Sequence, residues 1–205
     1  MKSARLAPVV VAVLCALPAC MSYEEEPPGP PRLPPQVTAE EMQQFVESQT
    51  PGAAHAKLEP LVGRFEAQVQ QWSSPDQLPS ASTGVLENSW ALGKRFILSQ
   101  YHGEEPGQSF EGLGLMGYDT TKKKYVGTWA DSMSTALWPT GTGDVNDDGD
   151  AFTLSRVMND PLTGLLIKVR DVTTIVDANH LTYEMFATYP GADEFKLLEV
   201  HYTRT

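Results

Sequence analysis

Cysteine is nearly missing from this chain of 205 residues: Cys15 and Cys20 are the only two, and both stand near the amino terminus. Beyond residue 20, disulfides, thiolate catalysis and cysteine-ligated metals are therefore excluded. Long apolar runs are missing too. The run at 7–17 is shorter than the ~18 residues that cross a bilayer, and no later run approaches that length. Basic residues are scarce: 15 Lys and Arg stand against 26 Asp and Glu, a net charge of −11. That balance argues against nucleic acid and against polybasic attraction to anionic lipid. Finally, no GxSxG elbow, SxxK motif or HExxH motif occurs, so those routes to acyl transfer and zinc hydrolysis have no support.

What is there begins with an address. Lys2 and Arg5, the apolar run 7–17 and the closing Leu17-Pro18-Ala19-Cys20 describe a bacterial secretory signal. The last four residues resemble a lipobox, after which Cys20 would carry lipid. This reading makes 1–19 a lipoprotein signal peptide and expects a lipid anchor on the periplasmic face of the outer membrane. Cleavage would remove Lys2 and Arg5, leaving 13 basic against 26 acidic residues. Residues 20–37 then read as the lipidated Cys and a spacer. Six prolines between 27 and 35 favour extended polyproline II.

Residues 38–205 read as one domain. Thr38 and Glu41 form a capping box, Met42, Phe45 and Val46 give a helical apolar stripe, and Pro51-Gly52 ends it. A second short helix is expected over 53–61. From Arg64 the period changes to two: Phe65, Ala67 and Val69 alternate with Glu66, Gln68 and Gln70. Further strands are expected near 84–92, 95–102, 109–118, 124–131, 136–142, 151–158, 164–176, 180–189 and 194–203. Tight polar turns separate them. Ten short antiparallel strands point to an all-β closed barrel, which removes exposed sheet edges.

Several separated motifs carry a family resemblance. His55-x-x-Leu58-x-x-Leu61-Val62-Gly63 precedes the first strand, followed by Leu92-Gly93-x-Arg95-Phe96, Phe110-Glu111-Gly112-x-Gly114 and Gly117-Tyr118-Asp119. Then come Tyr125-Val126-x-x-Trp129-x-Asp131-Ser132-Met133-Ser134-Thr135 and a closing Tyr202-x-Arg204. Over 53–205 the chain resembles the bacterial domain of unknown function 1579 family. That family is similar to calycin, lipocalin-like barrels, including fatty-acid-binding proteins and nitrobindins. The resemblance implies a closed calycin-like β-barrel with a short N-terminal helical segment packed near one end.

The site candidates follow strand parity. Trp129 and Asp131 share one face of their strand, with Met133 and Trp138 close behind. Trp90 and Tyr101 are further candidates for the lining. This set suits a small apolar or amphipathic molecule with a polar handle, held in the barrel without a cofactor. Alternatives are a cofactor-free enzyme pairing Asp131 with a histidine, and a structural or adaptor protein with a filled barrel. Two minor cofactor readings accompany them. Asp144, Asn146, Asp148 and Asp150 resemble half of a calcium loop whose closing Glu is replaced by Ser155. The similarity to nitrobindins implies haem held by a histidine in the last strand, where only His201 is available. Leu198, Val200 and Tyr202 oppose Leu197, Glu199 and His201, and parity leaves open which set faces inward. Gly112–Gly117 spells GxGxxG, but a turn and a strand follow it, so it reads as barrel strand.

Overall fold

A computed structural model describes residues 36–105 and 108–205; the signal, Cys20 and the spacer up to residue 35 lie outside the described residues. Ten strands form: β1 (Gly63–Gln71), β2 (Ser80–Ala91), β3 (Phe96–Glu105), β4 (Gln108–Asp119), β5 (Lys124–Asp131), β6 (Trp138–Val145), β7 (Ala151–Asn159), β8 (Leu166–Ile175), β9 (His180–Thr188) and β10 (Phe195–Arg204). Each pairs antiparallel with its sequence neighbours, and β1 pairs with β10 to close the barrel. The alternation in β1 sets the inward phase. Phe65, Ala67 and Val69 are buried while Glu66, Gln68 and Gln70 are exposed. Register carries that phase around the wall, since Phe65 stands opposite Leu86 and Leu86 opposite Tyr101.

One end of the barrel is sealed. The short helix α2 (Ala53–Ala56) and a 3₁₀ turn (Glu59–Leu61) replace the single helix expected over 53–61. Pro60 supplies the break, because it offers no N–H to an α-helical ladder. Leu58 is wholly buried there, and Leu61 and His55 nearly so. His55 Nδ1 accepts from the Gly52 N–H, and burial holds its imidazole below the usual histidine value. Tyr125 donates to the Ala54 carbonyl at 2.9 Å, and desolvation pushes its phenol up to about 12. Arg204 fastens the plug from the far end of the chain. It donates to the carbonyls of Val62 at 2.6 Å, Pro60 at 2.7 Å and Ala178 at 2.9 Å. Its guanidinium also lies 4.5 Å from the Phe65 ring centroid.

The preceding helix differs from expectation. α1 (Ala39–Ser48) forms with its Thr38–Glu41 capping box, but it buries no residue. Met42, Phe45 and Val46 are 52%, 58% and 59% exposed, so the apolar stripe does not pack on the barrel. The reason is division of labour: α2 and the 3₁₀ turn deliver Leu58 and Leu61 into the barrel end. The side-chain bond from Gln49 to Thr120 is a polar surface tie. Inside, a larger buried cluster runs from the plug through Phe65 and Phe152. A smaller one, Ile167, Val169 and Ala187, lies toward the other end.

Candidate functional site

The end opposite the plug gathers four of the candidate residues. Trp129, near the end of β5, lies over Gly112 and Gly114 of the adjacent β4. A Cβ on Gly112 would sit 2.1 Å from Trp129 Cζ2, so only glycine leaves room for the indole. That seat explains two glycines of the GxGxxG string without a nucleotide. Trp129 pairs across the ladder with Trp138 of β6. Its Nε1–H donates to Asp131 Oδ2 at 3.2 Å, while Asp131 Oδ1 accepts from the Met133 N–H at 3.0 Å. Trp138 Nε1–H donates to Ser134 Oγ at 3.0 Å. The β5–β6 loop is thus stapled to both indoles, and Met133 stands exposed on the rim.

Trp90 and Tyr101 are placed differently. Trp90 belongs to the plugged end, where its Nε1–H donates to Glu59 at 3.0 Å and Lys94 lies over its ring. Tyr101 is level with Asp131 through Gly112, yet it is buried and packs over Gly84 and against Phe110. Asp131 has no histidine partner among the described residues. His55 lies at the plug, while His102, His180 and His201 are exposed. The last strand's parity is also resolved. Val200 is buried, Leu198 and Tyr202 pack on the same core, and His201 is outside, where it meets Glu199 at 2.8 Å. A bulge between Lys196 and Leu198 lets Leu197 pack inward as well.

A polar cluster that the motif reading does not single out lies inside the wall. Arg156 of β7 pairs with Asp171 of β8, and both side chains are more than nine-tenths buried. Tyr183 of β9 donates its hydroxyl to Asp171 Oδ1 at 3.1 Å. Arg156 Nη1 also donates to the Thr140 carbonyl at 3.3 Å, and Nε to Met158 Sδ at 3.4 Å. Thr140 is the residue left unpaired by a bulge between Gly127 and Thr128, which frees its carbonyl for Arg156. Among the described residues no hydrogen bond uses Arg156 Nη2. Burial pushes the Asp171 carboxyl above the usual aspartate value despite Arg156, and pushes the Tyr183 phenol well above its own. The sequence did hold a signal. Arg156 and Asp171 occupy the inward phase of strands whose neighbouring inward residues are Leu154 and Met158, and Val169 and Thr173.

Of the calcium candidates, Asn146 and Asp150 meet, the Asn146 amide donating to Asp150 Oδ1 at 2.8 Å. Asn146 Oδ1 accepts three backbone N–H groups of its own hairpin, and Asp144 is paired with Lys124 at 2.6 Å. Among the described residues no group of three or more His, Cys, Asp or Glu side chains is arranged to hold a metal. A half-open groove of about 560 Å³ runs over the outside of β1, β2 and β3, lined by Glu66, Val85, His102 and Glu104 among others.

Residues 50–204 match the model of a family described as protein of unknown function (DUF1579), and the chain belongs to that family. No curated protein matches the chain. Among solved structures, Rv2717c from M. tuberculosis is 15% identical, with TM-score 0.51 over 76% of this chain and 99% of that one. The S-type phycobiliprotein lyase CPES from Guillardia theta is 9% identical, with TM-score 0.51 over 76% and 98% of the two chains. At such identities the likeness shows the fold, a calycin-like barrel.

Proposed function

We propose that this family member is an envelope lipoprotein that holds a small, partly apolar molecule in the unplugged end of its barrel. Lipid on Cys20 would tether it to the outer membrane's periplasmic face, with the proline-rich spacer between anchor and barrel. The observation that carries the reading is the partial exposure of side chains that point inward. Trp129, Trp138, Tyr183, Met185 and Leu198 all retain accessible surface although strand register turns them into the barrel. Apolar and aromatic walls with few polar groups are the usual make-up of a small-molecule site. Burial would supply the driving force, at roughly 25 cal/mol per Å² of apolar area. Asp131 braces the rim here, one oxygen accepting from Trp129 Nε1–H and the other from the Met133 N–H.

Calorimetric titration of the full chain with decanamide tests the reading. Saturable one-to-one binding is expected, weakened at least about tenfold in Trp129→Ala, which removes one of the two wall tryptophans. Absent binding, or unchanged affinity in a folded Trp129→Ala protein, refutes it.

A further inference from the structure

An ion pair inside a barrel is a poor investment in stability. Two charges lose their hydration, and well-packed apolar side chains of similar volume commonly do as well or better. Arg156 and Asp171 nevertheless sit between the two apolar clusters, flanked along their strands by Leu154, Met158 and Val169. Their hydrogen bonds are unevenly spent. Arg156 uses Nε and Nη1 on Met158, Thr140 and Asp171, and none of the described bonds engages Nη2. Each Asp171 oxygen accepts one bond, from Arg156 or from Tyr183, though a carboxylate oxygen has room for two. The cluster therefore offers an unused donor edge beside an acceptor with spare capacity. Solvent still reaches both side chains, which keep 9% and 6% of their surface.

We infer that Arg156 and Asp171, braced by Tyr183, recognise a ligand head presenting an acceptor and a donor side by side, as a protonated carboxyl or a primary amide does. This rests on the barrel-binding reading above and specifies its polar handle. Charge selects the neutral form of the head. The pair is already balanced, so a carboxylate would bring one uncompensated negative charge into an apolar interior. An acid must then bind with a proton, carried on its own carboxyl or taken up by Asp171, whereas an amide needs none. The ionisable groups turned toward this space are Arg156 from β7, Asp171 from β8, Tyr183 from β9, Tyr202 from β10 and Tyr101 from β3, with Asp131 nearer the rim on β5. β6 contributes the Thr140 carbonyl.

The test is calorimetric titration of the full chain with decanamide, decanoic acid and methyl decanoate, three probes sharing one apolar tail. The ester keeps an acceptor and lacks the donor, so it should bind about tenfold more weakly than the amide, the worth of one hydrogen bond to a charged group. Decanoic acid should lose affinity by about tenfold per pH unit between about pH 6 and pH 8, while the amide stays constant. Removing Arg156 alone would strand Asp171, so the informative variant is Arg156→Met with Asp171→Leu, which keeps the interior neutral. It should bind all three probes with one affinity. If amide and ester bind the wild type equally, or if the double variant keeps their difference, the head-group inference is overturned and the barrel reading stands. If no probe binds the wild type, the barrel reading itself falls.

Discussion

The contact between Trp129 and Gly112 predicts a substitution whose sign reverses with its background. In the wild type, Gly112→Ala places a methyl 2.1 Å from Trp129 Cζ2 and 2.4 Å from Cη2, far inside the ~3.5–4 Å of carbon contact. The indole must shift by more than an ångström, weakening its bond to Asp131 and its pairing with Trp138. Overpacking of this kind costs about 1–3 kcal/mol. Trp129→Ala alone should cost about 2–3 kcal/mol, below the 3–5 of a fully buried tryptophan because the ring is partly exposed. Once the indole is gone, the obstacle to a methyl at position 112 is gone with it. Glycine inside a strand is then a liability of ~0.5–1 kcal/mol relative to alanine. Gly112→Ala should therefore stabilise the Trp129→Ala protein slightly, giving a coupling of about 1.5–4 kcal/mol across the cycle. Urea unfolding resolves this, since m near 1–3 kcal/mol per molar makes each step a shift of several tenths molar or more. Equal destabilisation by Gly112→Ala in both backgrounds would refute the seat.

The plug and the β7–β8 loop give two further predictions. Arg204→Met removes three charge-assisted bonds, two of them to the carbonyls of Pro60 and Val62, and should cost about 2–4 kcal/mol in urea unfolding; a loss below about 0.5 kcal/mol would refute the clamp. Gly63→Ala should be costly as well, because its φ of +145° is unusual for an L-residue and its Cβ would meet the Arg204 guanidinium at 2.1 Å. In the β7–β8 loop, Asp160 accepts from the Tyr189 hydroxyl at 2.7 Å and from the backbone of Leu162 and Thr163. The hydrogen bond from the Tyr189 hydroxyl does most to hold its carboxyl below the usual aspartate value. A depressed folded value means stability that is present above the unfolded value, near 3.9, and lost as pH falls through the folded one. Asp160→Asn should therefore lower stability at neutral pH and flatten the acid limb of a stability–pH curve. An unchanged acid limb would show that Asp160 does not contribute to it.

Most of the wall was legible because it rests on short-range alternation. Phe65, Ala67 and Val69 announce β1 by period two, and polar turns mark every hairpin, so ten strands and their order follow from local sequence. Element ends are less legible: β2 begins at Ser80, four residues before the expected 84, because the inward positions there are Ser80 and Ser82, which carry no apolar signal, and the segment is held by pairing with β1. α1 shows the opposite failure. Met42, Phe45 and Val46 have the period of a buried face, but periodicity says nothing about whether a surface exists to cover it. Trp129, Asp131, Met133 and Trp138 are close in sequence, so one loop brings them together. Trp90 stands apart from them because distance along the barrel axis is invisible to parity: it points inward, but at the plugged end.

Arg156, Asp171 and Tyr183 show where motif reading stops and pattern reading could continue. No motif links a residue of β7 with others 15 and 27 positions later, and only strand pairing puts them together. Each nevertheless breaks a pattern. An arginine and an aspartate on the apolar phase of adjacent antiparallel strands cannot both be solvated if the strands are in the wall. One must neutralise the other or the register must slip, and a one-residue slip would turn Leu154, Val169 and Ala187 outward. The pair therefore helps fix the register of β7 against β8 at the same time as it supplies the interior's polar point. These two roles separate experimentally, because the Arg156→Met, Asp171→Leu protein retains an apolar phase that still specifies register. If that protein keeps the barrel and loses only the discrimination between amide and ester, the ion pair's role in the native chain is recognition rather than folding.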